Sequence, residues 1–431
     1  MGEPGGNMVG VMDLLADLDH RGLIHDSTDR AAIASRLAEG PIGVYVGFDP
    51  TADSLHVGHL VGQLYLRRFQ MAGHKPYPLA GGATGMVGDP SGRSDERNLL
   101  DPDTLRYNVS CIEAQLQRLL DFSPGRYQAC LVNNADWTEP VTLLDFLRNV
   151  GKFVTVNQML AKDSVRSRLD SDTGLSFTEF SYSLLQANDF RHLYEYEGVE
   201  MQAGGSDQWG NIVAGVDLIR RSLGKAAHAM THPLVTKADG TKFGKSVDGA
   251  VWLDPSKTSP YQFRQFWVQV DDSMVGRYMQ MFSLRPIDEI TGVLEEHSST
   301  PDKRGAQRAL ADELTELVHG GEALTAARAA TEVLFGGDPT LASEATLAAV
   351  AREVPSSRAP TVALGDLLSM IVGTGLASSN SDARRTLQQK GYRANGAVLA
   401  EDSQLSTLPL LHGRYLLLRK GKANHHLVEI S

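Results

Sequence analysis

Cysteine is scarce: Cys111 and Cys130 are the only two in 431 residues and could form one disulfide at most. A chain of this length needs no covalent staple, so both read as reduced, half-buried side chains in a reducing, cytoplasmic compartment. Long apolar runs are also missing. None approaches the roughly 20 residues that cross a bilayer, so no membrane association is expected. The opening MGEPGGNMVGVMDLLADLDHRG has no basic start leading into an apolar core, and it is not the Arg-rich, acid-poor sequence of a transit peptide. No targeting segment is expected there. Positive charge is not in excess: 41 Lys and Arg against 52 Asp and Glu leave a net charge of −11. That argues against a protein that coats nucleic acid through bulk charge and turns attention to local basic patches. There is no internal repeat, no low-complexity tract, and no Cys/His cluster or acidic triad suited to zinc. The rest is ordinary, with 42% hydrophobic and 22% charged residues as in a soluble globular protein. The length suggests about three domains.

The first third alternates strand and helix patterns. Val44-Tyr45-Val46-Gly47-Phe48 reads as a buried strand ending at Asp49-Pro50-Thr51. His56 to Ala72 carries apolar residues at helical spacing, with Gly73 as its stop. Pro76–Leu79 reads as a second strand running into Gly81-Gly82-Ala83-Thr84-Gly85. Strand–helix–strand order implies a parallel sheet with right-handed crossovers. Further helices are expected over Thr104–Leu120, Val141–Val150, Phe177–Phe190 and Asn211–Leu223. A helical block follows from Ser259 to Phe335, clearest at Lys303–His319. The Pro-containing stretch Val354–Thr361 reads as a linker. Beyond it lie two helices, Leu364–Gly373 and Ser381–Lys390, and then short strands joined by an Asn395-Gly396 hairpin turn.

Two motifs carry chemistry. His56-Val57-Gly58-His59 opens the first helix. Two histidines three apart share a helix face, Gly58 allows close approach to the backbone, and a helix N-terminus suits phosphate. A metal half-site or surface histidines would fit an isolated HxGH equally well. Lys242-Phe243-Gly244-Lys245-Ser246 follows Asp239-Gly240-Thr241 on a turn-rich segment. Its two lysines make a cationic loop able to neutralise a leaving pyrophosphate, although lysines beside glycines more often decorate a solvated turn.

Together and in this order, HVGH and KFGKS resemble the paired signatures of class I aminoacyl-tRNA synthetases, and in particular the tyrosine-specific branch of bacteria. Tyr45 to Thr51, Gly81 to Gly85, Gly88-Asp89-Pro90-Ser91-Gly92, Phe180 to Ala187, Gly204 to Asn211 and Leu411 to Tyr415 extend the resemblance over nearly the whole chain from Met12. It implies an α/β architecture in four parts. A Rossmann-like parallel-sheet catalytic domain (1–257) would be followed by an α-helical domain on the anticodon side (258–353), the linker (354–361) and a small α+β RNA-binding domain (362–431). It also implies activation of L-tyrosine by ATP with Mg²⁺, transfer to tRNA(Tyr), and a homodimer whose interface includes Gly151–Phe177.

Carried over by position, the resemblance assigns Tyr45 and Asp189 to the substrate's phenolic hydroxyl, and Asp89, Tyr182 and Gln186 to its ammonium group. Tyr182, Gln186 and Asp189 stand at i, i+4 and i+7, so one helix face can present all three. A helix cap at Asp189 or a Tyr182–Gln186 surface pair would satisfy the spacing equally. Thr51, His56, His59, Lys242 and Lys245 fall in catalytic positions at the ATP phosphates. Gly47, Asp49, Gly58, Gly205, Asp207, Gln208 and Ser246 fall in ATP and adenylate positions. Arg93 and Arg97 are candidate pyrophosphate contacts, or simply solvated loop arginines. Val46 stands where some members carry a ribose-contacting cysteine, and Gly62 where others carry a larger polar residue.

The tail is locally basic, with Arg384, Arg385, Lys390, Arg393, Arg414, Arg419, Lys420 and Lys422 exceeding its acidic residues, as phosphate contact requires. Ser378 to Asp382 is poorer in basic residues than the resemblance leads one to expect. A tryptophan-specific relative would share both signatures without needing the Tyr45/Asp189 pair. A small-metabolite nucleotidyltransferase would have no use for the tail. A non-catalytic RNA-binding paralogue would be expected to lose the histidines or lysines, and all four are present.

Overall fold

A computed structural model describes residues 13–89, 91, 100–160, 165–166, 175–241, 243–246, 249–421 and 424–431. The chain forms two compact units. One takes the chain to Asp254 together with Val270–Leu310, and the other takes Pro255–Gln269 with Ala311–Ser431.

The first unit is built on a six-stranded sheet in the order β1-β6-β5-β2-β3-β4. Its strands are β1 (Asp26–Ser27), β2 (Gly43–Phe48), β3 (Lys75–Ala80), β4 (Val132–Asn133), β5 (Val199–Gly205) and β6 (His228–His232). All neighbours are parallel except the edge pair β1–β6. Val44, Tyr45 and Val46 are buried, as a central parallel strand covered on both faces requires. From β2 the chain winds outward through β3 and β4, then returns to lay β5 on the other side of β2. The order therefore reverses between β2 and β5, and such a reversal leaves a crevice at the carboxyl ends of the strands.

The helix Val57–Met71 crosses from β2 to β3 and buries one side against the sheet. Gly62 lies on that side: an added Cβ would sit 3.4 Å from Val46 Cγ1 and 3.6 Å from the Phe48 ring. These are ordinary packing distances, so an alanine fits. Because glycine costs a helix interior about 1 kcal/mol relative to alanine, Gly62→Ala should stabilise the protein by roughly 0.5–1 kcal/mol in urea unfolding. Destabilisation would show that the helix needs closer approach to β2.

Residues 270–310, expected in the helical domain, belong to the first unit, and a buried ionic cluster shows why. Arg21 donates to the carbonyls of Gln280, Ser283 and Arg285, and Arg68 donates to those of Met281 and Ser283. These groups end the helix Asp272–Phe282, whose last carbonyls have no partner within the helix. Asp17 holds Arg21 at 2.8 Å and offsets its charge.

In the second unit, helices Pro260–Val268, Gly321–Leu334 and Glu344–Glu353 pack together, with Arg264 and Arg328 both bonded to Asp312. Its sheet has the order β11-β10-β12-β13-β9. The strands are β9 (Ser356–Ala359), β10 (Tyr392–Ala394), β11 (Ala397–Val398), β12 (Tyr415–Lys420) and β13 (Asn424–Ile430). Helices Leu367–Gly373 and Asn380–Gln388 contribute to the core on it through Ile371, Ala383 and Leu387. The hairpin turn falls at Asn395-Gly396, both with positive φ (47° and 87°), as a two-residue turn between paired strands demands. The expected linker is not one. Ser356–Ala359 forms β9, an edge strand parallel to β13, because the chain's last strand leaves an open edge for it to pair with.

Candidate active site

The crevice at the β2/β5 reversal gathers residues from four strand ends. Gly47 and Asp49 close β2, Thr84 follows β3, Asn134 follows β4, and Gly205 ends β5. The signature histidines stand at the start of the following helix in an arrangement the sequence did not disclose. His56 is the N-cap, not a residue of the first turn. Its Nδ1 accepts the Gly58 N–H at 3.0 Å, while His59 Nδ1 accepts the His56 N–H at 3.2 Å. This is a reciprocal capping box written with two imidazoles. Because each Nδ1 accepts from the backbone, the proton of each neutral ring sits on Nε2, making that atom a donor. The rings stack with centroids 3.9 Å apart. Gly58 has a local reason as well: a Cβ there would lie 2.7 Å from the capping ring of His56.

Gly244, at the centre of KFGKS, packs directly on HVGH. Gly244 has φ +89°, and a Cβ there would lie 3.0 Å from Val57 Cγ2 and 3.4 Å from the Gly58 nitrogen. Val251 N–H bonds to Gly244 O, and Val57 N–H to Val251 O. Phe243 is buried with its ring 4.7 Å from Tyr278, whose hydroxyl donates to Thr236 O at 2.7 Å. Lys245 and Ser246 form β7, paired with β8 (Gly249–Ala250). Lys242, Arg93 and Arg97 lie outside the described residues.

A cluster of buried polar side chains lies beside β2. Asp189, on the helix Phe177–Glu197, is 2% exposed. Its Oδ2 accepts Asn134 Nδ2 at 2.9 Å and its Oδ1 accepts Trp137 Nε1 at 2.8 Å. Burial pushes its pKa up to about 7, with the two N–H donors pulling the other way. Tyr45 is buried at β2; desolvation, then the Asp189 charge, raises its pKa. Among the described residues the Tyr45 hydroxyl has no hydrogen-bond partner, and neither does Gln186 Oε1. One turn before Gln186, the Tyr182 hydroxyl donates to Asp49 Oδ2 at 2.7 Å, and Asp49 Oδ1 accepts Thr84 Oγ1 at 2.8 Å. Burial first, then the charges of Asp49, Asp89 and Asp189, raises the Tyr182 pKa. Three carboxylates therefore surround one phenol, a field that attracts a cation.

Asn134 ties the two ends together by donating to Thr84 Oγ1 at 3.0 Å and accepting the Ala83 N–H. Asn134 and Trp137 were not singled out by sequence, and Thr84 was noted only within the segment Gly81 to Gly85. The available signal was the polar run Asn133-Asn134-Ala135-Asp136-Trp137 at a strand's carboxyl end.

Other sequence-derived positions sit around this pocket. Asp89 Oδ2 accepts Gln208 Nε2 at 2.6 Å, joining a proposed ammonium ligand to the Gly205–Gln208 segment. Asp207 and Thr51 are exposed on the rim, where Thr51 N–H bonds to Asp49 O. Val46 is buried and faces Gly62, so no polar group arises at that position.

A sheet that reverses beneath paired histidine and lysine signatures is the architecture of a nucleotide-activating enzyme, and comparison with known proteins agrees. The family of class I tRNA synthetases for W and Y matches residues 37–336, and a tyrosine–tRNA ligase SYY-like C-terminal domain matches residues 346–428. The chain belongs to this class I tRNA synthetase family. It is 50% identical to the tyrosine–tRNA ligase of Opitutus terrae over 97% of this chain and 100% of that one. It is likewise 50% identical to the tyrosine–tRNA ligase of Streptomyces griseus, over 97% and 99% of the two chains. Among solved structures, a C-terminally truncated mitochondrial tyrosyl-tRNA synthetase from Aspergillus nidulans superposes with a TM-score of 0.69 at 33% identity, covering 75% of this chain and 94% of that one.

Proposed function

We propose that the chain is a tyrosine–tRNA ligase whose phenol-recognising group is Asp189. One observation carries this reading: a fully buried carboxylate, held by two N–H donors, lies beside a buried tyrosine hydroxyl that has no partner among the described residues. A substrate phenol can donate to Asp189 and accept from Tyr45. A phenylalanine ring would leave the Tyr45 hydroxyl without an acceptor and would bring the Asp189 carboxylate no further donor, which is costly in a buried site. Asp89, Tyr182 and Gln186 receive the substrate ammonium in the field of the neighbouring carboxylates.

The tyrosine carboxylate then attacks the α-phosphorus of ATP, an O–P bond forms and pyrophosphate leaves. No protein nucleophile is needed, so positioning and charge stabilisation supply the acceleration. His56 and His59 offer Nε2–H donors to the phosphates. Thr51, Lys242 and Lys245 assist them, with Arg93 and Arg97 as further pyrophosphate contacts. Gly47, Asp49, Gly58, Gly205, Asp207, Gln208 and Ser246 line the adenylate. Among the described residues no group of three His, Cys, Asp or Glu side chains is placed to hold a metal ion. Mg²⁺ would ride on the ATP phosphates, where it offsets their charge. In the second step a ribose hydroxyl at the 3′ end of tRNA(Tyr) attacks the activated carbonyl and AMP leaves.

The 346–428 domain is the RNA-holding part in this reading, although its basic surface is partly neutralised. Asp382 pairs with Arg385 and Lys420, and Arg414 pairs with Glu344 and Glu429. A homodimer is supported by exposed apolar side chains at Leu143 (71%), Leu144 (78%) and Phe177 (78%). Burying them removes a cost that a lone subunit would bear. A cytoplasmic setting fits Cys111 and Cys130, which are unpaired. No described helix is long and apolar enough to cross a membrane.

ATP–pyrophosphate exchange with each of the twenty amino acids tests the assignment. Exchange with tyrosine alone is expected, whereas exchange with tryptophan would overturn the pocket reading. The pH profile adds a second check. Ionised Asp189 accepts the phenol proton, so kcat/KM for tyrosine should fall as pH drops through about 7, approaching tenfold per unit. A flat profile down to pH 5 would remove Asp189 from that role.

A further inference from the structure

Asp189 is held by Trp137, and Trp137 is itself held from outside the pocket. Its indole stacks on the His192 imidazole with centroids 4.5 Å apart and planes 14° from parallel. His192 lies three residues beyond Asp189 on the same helix, so the carboxylate and the ring that steadies its donor face the same side. Tyr196 also packs on His192, with ring centroids 4.7 Å apart and planes tilted by 42°, and is itself 67% exposed. The column therefore runs from the specificity carboxylate, through indole and imidazole, to a surface groove lined by Pro140, Phe146, Lys152 and Arg191.

Nothing in the chemistry of activation requires a histidine here. Its contacts are those of a flat ring pressed against the indole, the element that sets the direction of the Nε1–H. We infer that His192 is a positioning residue for tyrosine selection: its ring fixes the Trp137 indole, and through it the orientation of Asp189. Burial lowers the His192 pKa, so the ring is uncharged at neutral pH and brings no cation up to the carboxylate. A hydrogen bond weakens steeply as its angle departs from linearity. A tilted indole would therefore loosen Asp189 without touching the ATP side of the crevice.

This inference rests on the assignment of Asp189 to the substrate phenol, and the test separates the two. His192→Ala, His192→Phe and Asp189→Asn are compared in tyrosine-dependent ATP–pyrophosphate exchange on the full-length protein, with melting temperatures recorded. His192→Ala should raise the KM for tyrosine about tenfold and lower the tyrosine/phenylalanine preference by a similar factor, with the KM for ATP within about twofold. His192→Phe, which restores a flat ring, should bring tyrosine KM back to within about threefold of the parent. In a Trp137→Leu background, His192→Ala should have no further effect on tyrosine KM.

Unchanged tyrosine kinetics in His192→Ala, alongside a collapse in Asp189→Asn, would overturn the positioning role and leave the pocket assignment standing. Unchanged preference in Asp189→Asn would overturn the assignment itself. Tyrosine and ATP KM rising together, with a lower melting temperature and no rescue by phenylalanine, would reduce His192 to a packing residue.

Discussion

Asp189→Asn is expected to lower kcat/KM for tyrosine by roughly 10²–10⁴-fold while leaving the much slower use of phenylalanine nearly unchanged. Two losses combine. The substrate hydroxyl gives up a hydrogen bond to a charged acceptor. The asparagine also brings a donor NH₂ where Asn134 Nδ2 and Trp137 Nε1 each already need an acceptor, so one N–H is left facing another. Tyrosine enzymes of this family are themselves the known case of discrimination against phenylalanine, at about 10⁵, a magnitude that belongs to those enzymes and sets the scale here.

Stability should respond differently. The folded pKa of Asp189, about 7, lies above the unfolded value of about 3.9, so the native state binds the proton more tightly. Folding stability from this group is present below about pH 4 and is lost as pH rises through about 7. The variant loses that pH dependence, so its melting temperature relative to the parent should improve between pH 4 and 8. Full tyrosine preference in Asp189→Asn, measured by exchange with tyrosine and phenylalanine, would sink the assignment.

What the sequence disclosed was mostly local chemistry. The strand at Val44–Phe48, the helix after HVGH and the Asn395-Gly396 turn are each encoded by a few adjacent residues. The order strand–helix–strand was enough to imply the parallel sheet, because few topologies obey right-handed crossover. Long-range pairings were not legible. Ser356–Ala359 is polar and largely exposed, so nothing in its pattern says strand; it becomes one because β13 offers it an edge. Residues 270–310 join the first unit through Arg21, about 260 positions away, by a guanidinium that seeks carbonyls no sequence pattern marks. The pocket divides in the same way. Tyr182, Gln186 and Asp189 share one helix and were visible as a periodic set. Asn134 and Trp137 come from behind a two-residue strand, β4, whose place in the sheet depends on pairing with β3.

His56→Asn separates two jobs that one side chain performs. As N-cap, His56 accepts the Gly58 N–H, and asparagine is among the best residues for that task. The variant should therefore keep its melting temperature within about 2 °C, since a retained cap leaves less than about 0.5 kcal/mol to lose. The shorter side chain cannot bring a donor to the place His56 Nε2 occupies. If that donor stabilises charge developing on the phosphates, kcat for tyrosine-dependent exchange should fall about 10²–10³-fold, the usual consequence of removing one aligned donor. Tyrosine KM should change little, because the phenol and ammonium contacts lie on other elements. His56→Ala removes cap and donor together, so it should show the same loss of rate plus about 0.5–2 kcal/mol of destabilisation. A normal rate in His56→Asn would mean that the histidine serves the helix alone and that His59 and the lysines carry the phosphate chemistry. A normal melting temperature in His56→Ala would mean that the reciprocal cap adds nothing to the fold, leaving the ring to be explained by chemistry alone.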